Sequence, residues 1–328
     1  MSKNEQIQNK NIVLLVIVSK ILASTVYFFA LNLFSESLFN YVDLNNYAKC
    51  DQLISNILYT KFLCITGLNS HEGIASLKAI LIALTINITS CVLFVLTLKS
   101  YLTKRLLLLF IFFIAFHPYL AIYSLRLYSD IFGLLGISII TFFIMSERKT
   151  GILFSILSMI LVNLRTALFP VFLIYVSLKI ISANTQKYTK IFMSLLLLLL
   201  LINLQVYLDF VERFAIQGNA YNNIFLNPIF LLTLREGAAN NGIGTLFING
   251  IGLGLSQVLA SLFLGMIHII GLFKFIQFCL KENKALLVVL IYLIPPMFVV
   301  AHLRYLYPII PLLMFGLCIF IQKKYPLT

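Results

Sequence analysis

The chain has 328 residues, 61% of them hydrophobic and only 11% charged, with a mean hydropathy of +1.02. So little polar surface cannot cover a packed soluble core, which excludes a water-soluble globular domain. The formal net charge of +13 would point to nucleic acid in a soluble protein. Here the basic residues sit in short loops between apolar runs, where they set membrane orientation, so nucleic acid is not an expected partner.

Apolar runs of spanning length recur from end to end. They predict an all-α, polytopic integral membrane protein of about ten transmembrane helices, with residues 1–328 forming one domain. The polar start carries Lys3 and Lys10 and precedes a first span at about 12–34. That segment is too long for a signal peptide and has no convincing cleavage site, so it reads as retained. An outer loop, 35–70, follows. It opens on Tyr41–Gln52, which puts Asp43 just past the membrane exit of the first span. An acid at that boundary, with Tyr47 one helical turn later, suits a proton acceptor facing a surface-held substrate. Asp43 equally suits the N-cap of a helix beginning at Leu44. Further on, Leu53, Ile54, Ile57, Leu58, Phe62 and Leu63 recur at helical spacing, as in a helix lying flat in the interface.

Span two is about 74–98, followed by a basic loop with Lys99, Lys104 and Arg105. Span three, about 106–120, ends in His117-Pro118, where proline breaks or bends a helix. Span four is about 129–146. The run 151–183 is too long for one span and carries Arg165 halfway, so it divides there into spans five and six. Span seven is about 191–208 and leads into an outer loop, 209–245, rich in Asn and Gly. Span eight covers about 246–276, where Gly265 and Gly271 leave room to bend. Spans nine (285–301) and ten (306–322) close the chain before Lys323-Lys324. No separate soluble domain is expected.

Five cysteines match no metal spacing. If 44–66 were one helix, Cys50 and Cys64 would lie roughly 21 Å apart along it, beyond disulfide reach. All five therefore read as small apolar residues. With the N-terminus in the cytoplasm, fifteen of the twenty-four basic residues fall on inner flanks and eight of the eleven acids fall outside. This is the asymmetry of the positive-inside rule. Outside, five of the seven basic residues are arginine, the side chain suited to forked binding of phosphate oxygens. Arg126, Arg165 and Arg304 sit at the edges of apolar segments, each costing about 2.5–3.5 kcal/mol if held at the bilayer centre. Snorkelling, or an internal pair such as Arg126 with Asp130 at i+4, is the structural alternative for any one of them.

Four places in order resemble the GT-C glycosyltransferases, polytopic enzymes that take a sugar from a polyprenyl-phosphate donor. These are Asp43 with Tyr47 and Ala48; Pro118 with Tyr123, Ser124, Ser129 and Asp130; Arg165; and Arg304, Tyr305, Pro308 and Pro311. The family includes dolichyl-phosphate-mannose protein mannosyltransferases and bacterial lipid A aminoarabinose transferases. The resemblance implies that Asp43 is the catalytic base. Tyr47, Arg126, Asp130, Arg165, His302, Arg304 and Tyr305 would bind substrate, with Arg304, Arg165 and either His302 or Arg126 on the departing phosphate. It implies a lipid-linked sugar donor, a glycan or lipid acceptor, and an active site facing the outside. Many members pair two acids in the first loop, whereas Val42 and Leu44 flank Asp43, so no divalent metal is assigned. The outer loops 35–70 and 209–245 would recognise the acceptor. The Asn-, Ile- and Lys-rich composition is that of an AT-rich bacterial genome, which puts the expected site at the periplasmic face of an inner membrane. One rival is an O-antigen-type polymerase using Arg213 and Arg235. A second, non-catalytic rival is a transporter or flippase, against which no internal repeat is evident.

Overall fold

A computed structural model describes residues 3–34, 50, 57–146, 152–182, 187–209, 212, 254–293 and 306–324. The described residues are helical, with no strand among them. Helix α1 (Lys3–Phe34) is apolar on its outward face. Its buried face carries Val16, Lys20, Ala23 and Ser24, while Leu14, Val18, Ile21, Leu22, Val26 and Phe29 are exposed. Lys20 and Ser24 turn toward the bundle among Ile12, Val16 and Ala23, while large apolar side chains face outward, as suits a helix surrounded by lipid.

Four stretches among the described residues are long and apolar enough to cross a membrane: Gln8–Phe29, Leu77–Tyr101, Phe263–Glu282 and Tyr307–Lys324. This corrects the expectation of about ten full spans. The other apolar helices, such as Asp130–Met145 and Leu153–Leu164, run only 10–17 residues. Even sixteen residues rise about 24 Å, against a hydrocarbon core of about 30 Å.

Two of the interruptions follow from named residues. Helix α5 (Lys104–Phe116) stops at His117, and Pro118 begins the short α6 (Pro118–Tyr123). Pro118 has no N–H to give the carbonyl of Ile114, four residues back. Lys20 of α1 supplies the missing donor, its Nζ reaching Ile114 O at 3.4 Å and Leu120 O at 2.9 Å. Tyr27 Oη donates to Phe116 O at 3.3 Å, so α1 satisfies carbonyls on both sides of the break. The second interruption is Arg165. Helix α8 (Ile152–Leu164) ends there, Arg165 is extended, and a 3₁₀ turn (Thr166–Leu168) leads into α9 (Phe169–Ile181). The division of 151–183 at this point is as expected.

The segment 35–70, expected as the first outer loop, differs from expectation in its cysteines. Cys50 and Cys64 form a disulfide, with Cα atoms 6.0 Å apart. They are not on one helix: Cys64 lies on α2 (Ile57–Thr66), and Cys50 lies in a turn, its carbonyl accepting from Lys61 Nζ at 2.7 Å. The reading of these two cysteines as isolated apolar residues is therefore wrong. Cys91, Cys279 and Cys318 are free and buried. Helix α2 buries Tyr59, Thr60 and Leu63, while Leu58 turns outward. It ends at Gly67, whose φ of +69° lets Leu68 N close back onto Leu63 O at 2.8 Å. A one-turn helix, α3 (His71–Ala75), and then α4 (Leu77–Leu98) follow, capped by Ser70 and Ser76 respectively.

Helix α4 packs against α7 (Asp130–Met145), and α9 against α10 (Lys187–Ile202). Among the described residues the most extensive helix pairing joins α11 (Gly254–Glu282) to α12 (Ile310–Lys324). Gly271 of α11 serves a close approach. It lies against the backbone of Leu313, and Gly316 lies against the backbone of Gly271. Small residues at such a crossing let two membrane helices touch main chain to main chain.

Candidate functional site

Between α6 and α7 the chain makes a buried turn, residues 124–129, held by Leu125 N to Ile122 O (3.1 Å), Arg126 N to Tyr123 O (3.2 Å) and Tyr128 N to Arg126 O (2.9 Å). The six-residue α6 (Pro118–Tyr123) leads into it, with Ser124 at its C-cap. Contacts from α1 and α2 pin the turn. Ser24 and Ser124 share a 2.7 Å hydrogen bond, and Tyr59 Oη of α2 donates to Leu127 O at 2.7 Å. Helix α2, which carries the disulfide, thus sits directly on this turn.

Just past the turn, Asp130 opens α7 and pairs with Arg165, Nη2 to Oδ1 at 2.6 Å, both side chains almost fully buried. Arg165 Nη1 donates to Ser129 Oγ at 3.0 Å, and its Nε makes a long 3.4 Å contact with Tyr292 Oη. Gly133 leaves the space for this. A Cβ there would stand 2.9 Å from Tyr292 Oη and 3.1 Å from Pro308 Cγ. The carboxylate of Asp130 is therefore engaged, and so is the guanidinium of Arg165. The i+4 partnership of Arg126 with Asp130 does not form.

Arg126 is left differently placed. It is only 7% exposed, and its Nε and Nη2 have no hydrogen-bond partner among the described residues. Its guanidinium carbon lies 5.6 Å from the centre of the Tyr128 ring. Tyrosines continue from there: Tyr123 lies 5.9 Å from Tyr128 and 4.9 Å from Tyr307, and stacks with Tyr119 at 6.4 Å. A buried cation with unused donors is costly unless an anion completes it. Flat rings beside it suit a sugar or an isoprenoid better than they suit water.

Below the turn lies a second polar group that sequence reasoning did not assemble. Asn87 Nδ2 donates to Tyr307 Oη at 2.6 Å and to Leu120 O at 3.3 Å. His117 and His268 face each other, Nε2 to Nε2, at 3.0 Å. The Pro118 break was the available signal for this cluster. Nothing in the sequence pairs His117 with a residue 151 positions later.

Of the residues assigned from sequence, the structure brings Arg126, Asp130 and Arg165 into one neighbourhood. Asp43, Tyr47, Arg213, Arg235, His302, Arg304 and Tyr305 lie outside the described residues. No cluster of three His, Cys, Asp or Glu side chains able to hold a metal occurs among the described residues. Comparison with protein-family models, with curated proteins and with solved structures finds no match for the chain.

Proposed function

We propose that the protein is a membrane glycosyltransferase of the GT-C type, moving a sugar from a polyprenyl-phosphate donor to a lipid-linked or cell-envelope glycan. The observation that carries this reading is Arg126: buried, next to an aromatic cluster, with two guanidinium positions unused. A phosphate is the anion that a forked cation takes best. In the proposed reaction Asp43 takes the proton of the acceptor hydroxyl, and the hydroxyl oxygen attacks the anomeric carbon. The bond from that carbon to the phosphate oxygen breaks, and the polyprenyl phosphate leaves held by Arg126 and Arg304. The Arg165–Asp130 pair positions the turn rather than binding phosphate directly.

The disulfide supports an outward-facing site. Disulfides persist on the oxidising side of a membrane, and α2 rests on the turn that bears Arg126. The lysine-rich ends of α11 and α12 would then face the cytoplasm. In this reading the short helices complete about ten crossings, with α5 and α6 acting as one interrupted span. The membrane would be a bacterial inner membrane. The test is to supply purified protein with radiolabelled polyprenyl-phosphate sugar and follow label into a lipid-linked acceptor. Transfer by the parent chain and none by Asp43→Asn is expected; absence of transfer across a panel of donors and acceptors rejects the reading.

A second reading, a lipid-linked glycan transporter, draws on a different observation. The interrupted α5–α6 span, with Lys20 on its freed carbonyls, resembles the discontinuous helices that bind substrates in transporters. Movement of labelled lipid-linked sugar across proteoliposomes without covalent change would favour it.

A further inference from the structure

At the end of the bundle opposite Arg126, the last turns of α11 and α12 and the 3₁₀ turn Lys99–Tyr101 enclose a cleft of about 180 Å³. Three ammonium groups border it, from Lys274, Lys281 and Lys323, against the single carboxylate of Glu282. Only Lys281 is paired with that carboxylate, at 3.5 Å. Lys274 Nζ donates to Gln277 Oε1 at 3.0 Å and lies 5.6 Å from the Phe320 ring, which holds it at the rim. Gln322, also lining the cleft, has a buried Oε1 that accepts no hydrogen bond among the described residues. The floor is aromatic, with Tyr101 and Phe278 edge to face at 4.9 Å. Leading to the cleft along α11 is an exposed apolar stripe of Met266, Ile269, Ile270 and Phe273.

We propose that this cleft binds the headgroup of an anionic glycerophospholipid in the leaflet at the lysine-rich side. Its phosphodiester sits among Lys274, Lys281 and Lys323, a headgroup hydroxyl donates to Gln322 Oε1, and the acyl chains lie on the stripe of α11. Each element matches one part of such a lipid: excess positive charge for the phosphate, an acceptor without a donor for the glycerol hydroxyl, and an apolar track for the tails. Basic clefts between membrane helices at this depth take anionic headgroups. The site is separate from the Arg126 neighbourhood and does not depend on the glycosyltransferase reading.

The experiment uses the full chain in phosphatidylcholine vesicles containing a trace of photoactivatable phosphatidylglycerol, with cross-links mapped by mass spectrometry. Cross-links are expected on peptides covering 274–282 and 319–323. Excess unlabelled phosphatidylglycerol should compete them away, and inorganic phosphate at the same concentration should not. The triple variant K274Q/K281Q/K323Q should lower the yield about 10²-fold, from three lysine contributions at the surface. Lys281→Gln alone, at a largely exposed side chain, should lower it several-fold and guards against misfolding of the triple variant. Gln322→Leu should weaken phosphatidylglycerol but leave phosphatidic acid, which has no headgroup hydroxyl, unchanged. Equal labelling by photoactivatable phosphatidylcholine, or undiminished labelling in both lysine variants, overturns the proposal. Competition by inorganic phosphate as strong as by lipid would make this a free-anion site and overturns it equally.

Discussion

Replacing Arg126 by methionine separates a ligand-binding arginine from a structural one. Methionine keeps an unbranched stem beside Tyr128 and removes the charge. In the unliganded protein the buried guanidinium leaves Nε and Nη2 without acceptors among the described residues. Each unmet buried donor costs about 1–3 kcal/mol. Arg126→Met should therefore leave the thermal midpoint in detergent unchanged or raise it. With donor bound, the same two positions would make charge-assisted hydrogen bonds of about 1.5–3 kcal/mol each. Losing both removes about 3–6 kcal/mol, or roughly 10²–10⁴-fold in kcat/KM at 1.4 kcal/mol per decade. Arg165→Met is the contrasting variant. It strands Asp130 in the interior, and breaking a buried pair from one side costs about 3–5 kcal/mol. The assay is sugar transfer from labelled donor lipid, read beside the melting curve of each variant. If Arg126→Met stays within about threefold of the parent in transfer, or melts as low as Arg165→Met, the ligand role argued for Arg126 is wrong.

Asp43→Asn keeps the capping ability of the side chain and loses the base, so turnover should fall at least about 10²-fold at equal expression, with Asp51→Asn mild as the matched control. Transfer assays on Arg304→Ala, Arg213→Ala and Arg235→Ala should rank Arg304→Ala as the most damaging; the reverse order would favour a polymerase. Thiol alkylation under denaturing conditions should modify three cysteines before reduction and five after. Losing the bridge by Cys64→Ser should cost about 3 kcal/mol for a loop of this size, measured as a lower melting temperature. Gly316→Val puts a side chain into the backbone of α11 at Gly271 and should sharply lower the yield of folded protein in a detergent elution profile.

The sequence showed where helices stop better than it showed what their ends touch. Pro118 and Arg165 announce their interruptions because one lacks a donor and the other carries a charge into an apolar run. Two readings, one of them offered only as an alternative, depend on helical continuity and fail with it. Spacing of i+4 makes Arg126 and Asp130 neighbours only on a single helix, and the turn at 124–129 ends that helix and frees Asp130 for Arg165. A continuous helix would likewise hold Cys50 and Cys64 apart, but Cys50 lies in a turn and the two cysteines meet. Counting apolar runs overstated the full spans, because hydropathy measures composition and takes no account of a broken axis. The contacts of Lys20 were beyond reach for another reason: its acceptors lie 94 and 100 residues away, and no local pattern encodes them.

Those contacts also order events at the ribosome. Lys20 emerges in the first helix, while Ile114 and Leu120, whose carbonyls it binds, are not yet made. At about 5–20 residues per second the wait lasts roughly 5–20 s. Throughout it, an unmatched ammonium near the middle of a nascent helix disfavours release into lipid by about 2.5–3.5 kcal/mol. The first helix is thus best kept beside the translocation channel until residues 104–123 arrive with their freed carbonyls. The first helix would then leave the channel together with residues 104–123 rather than ahead of them.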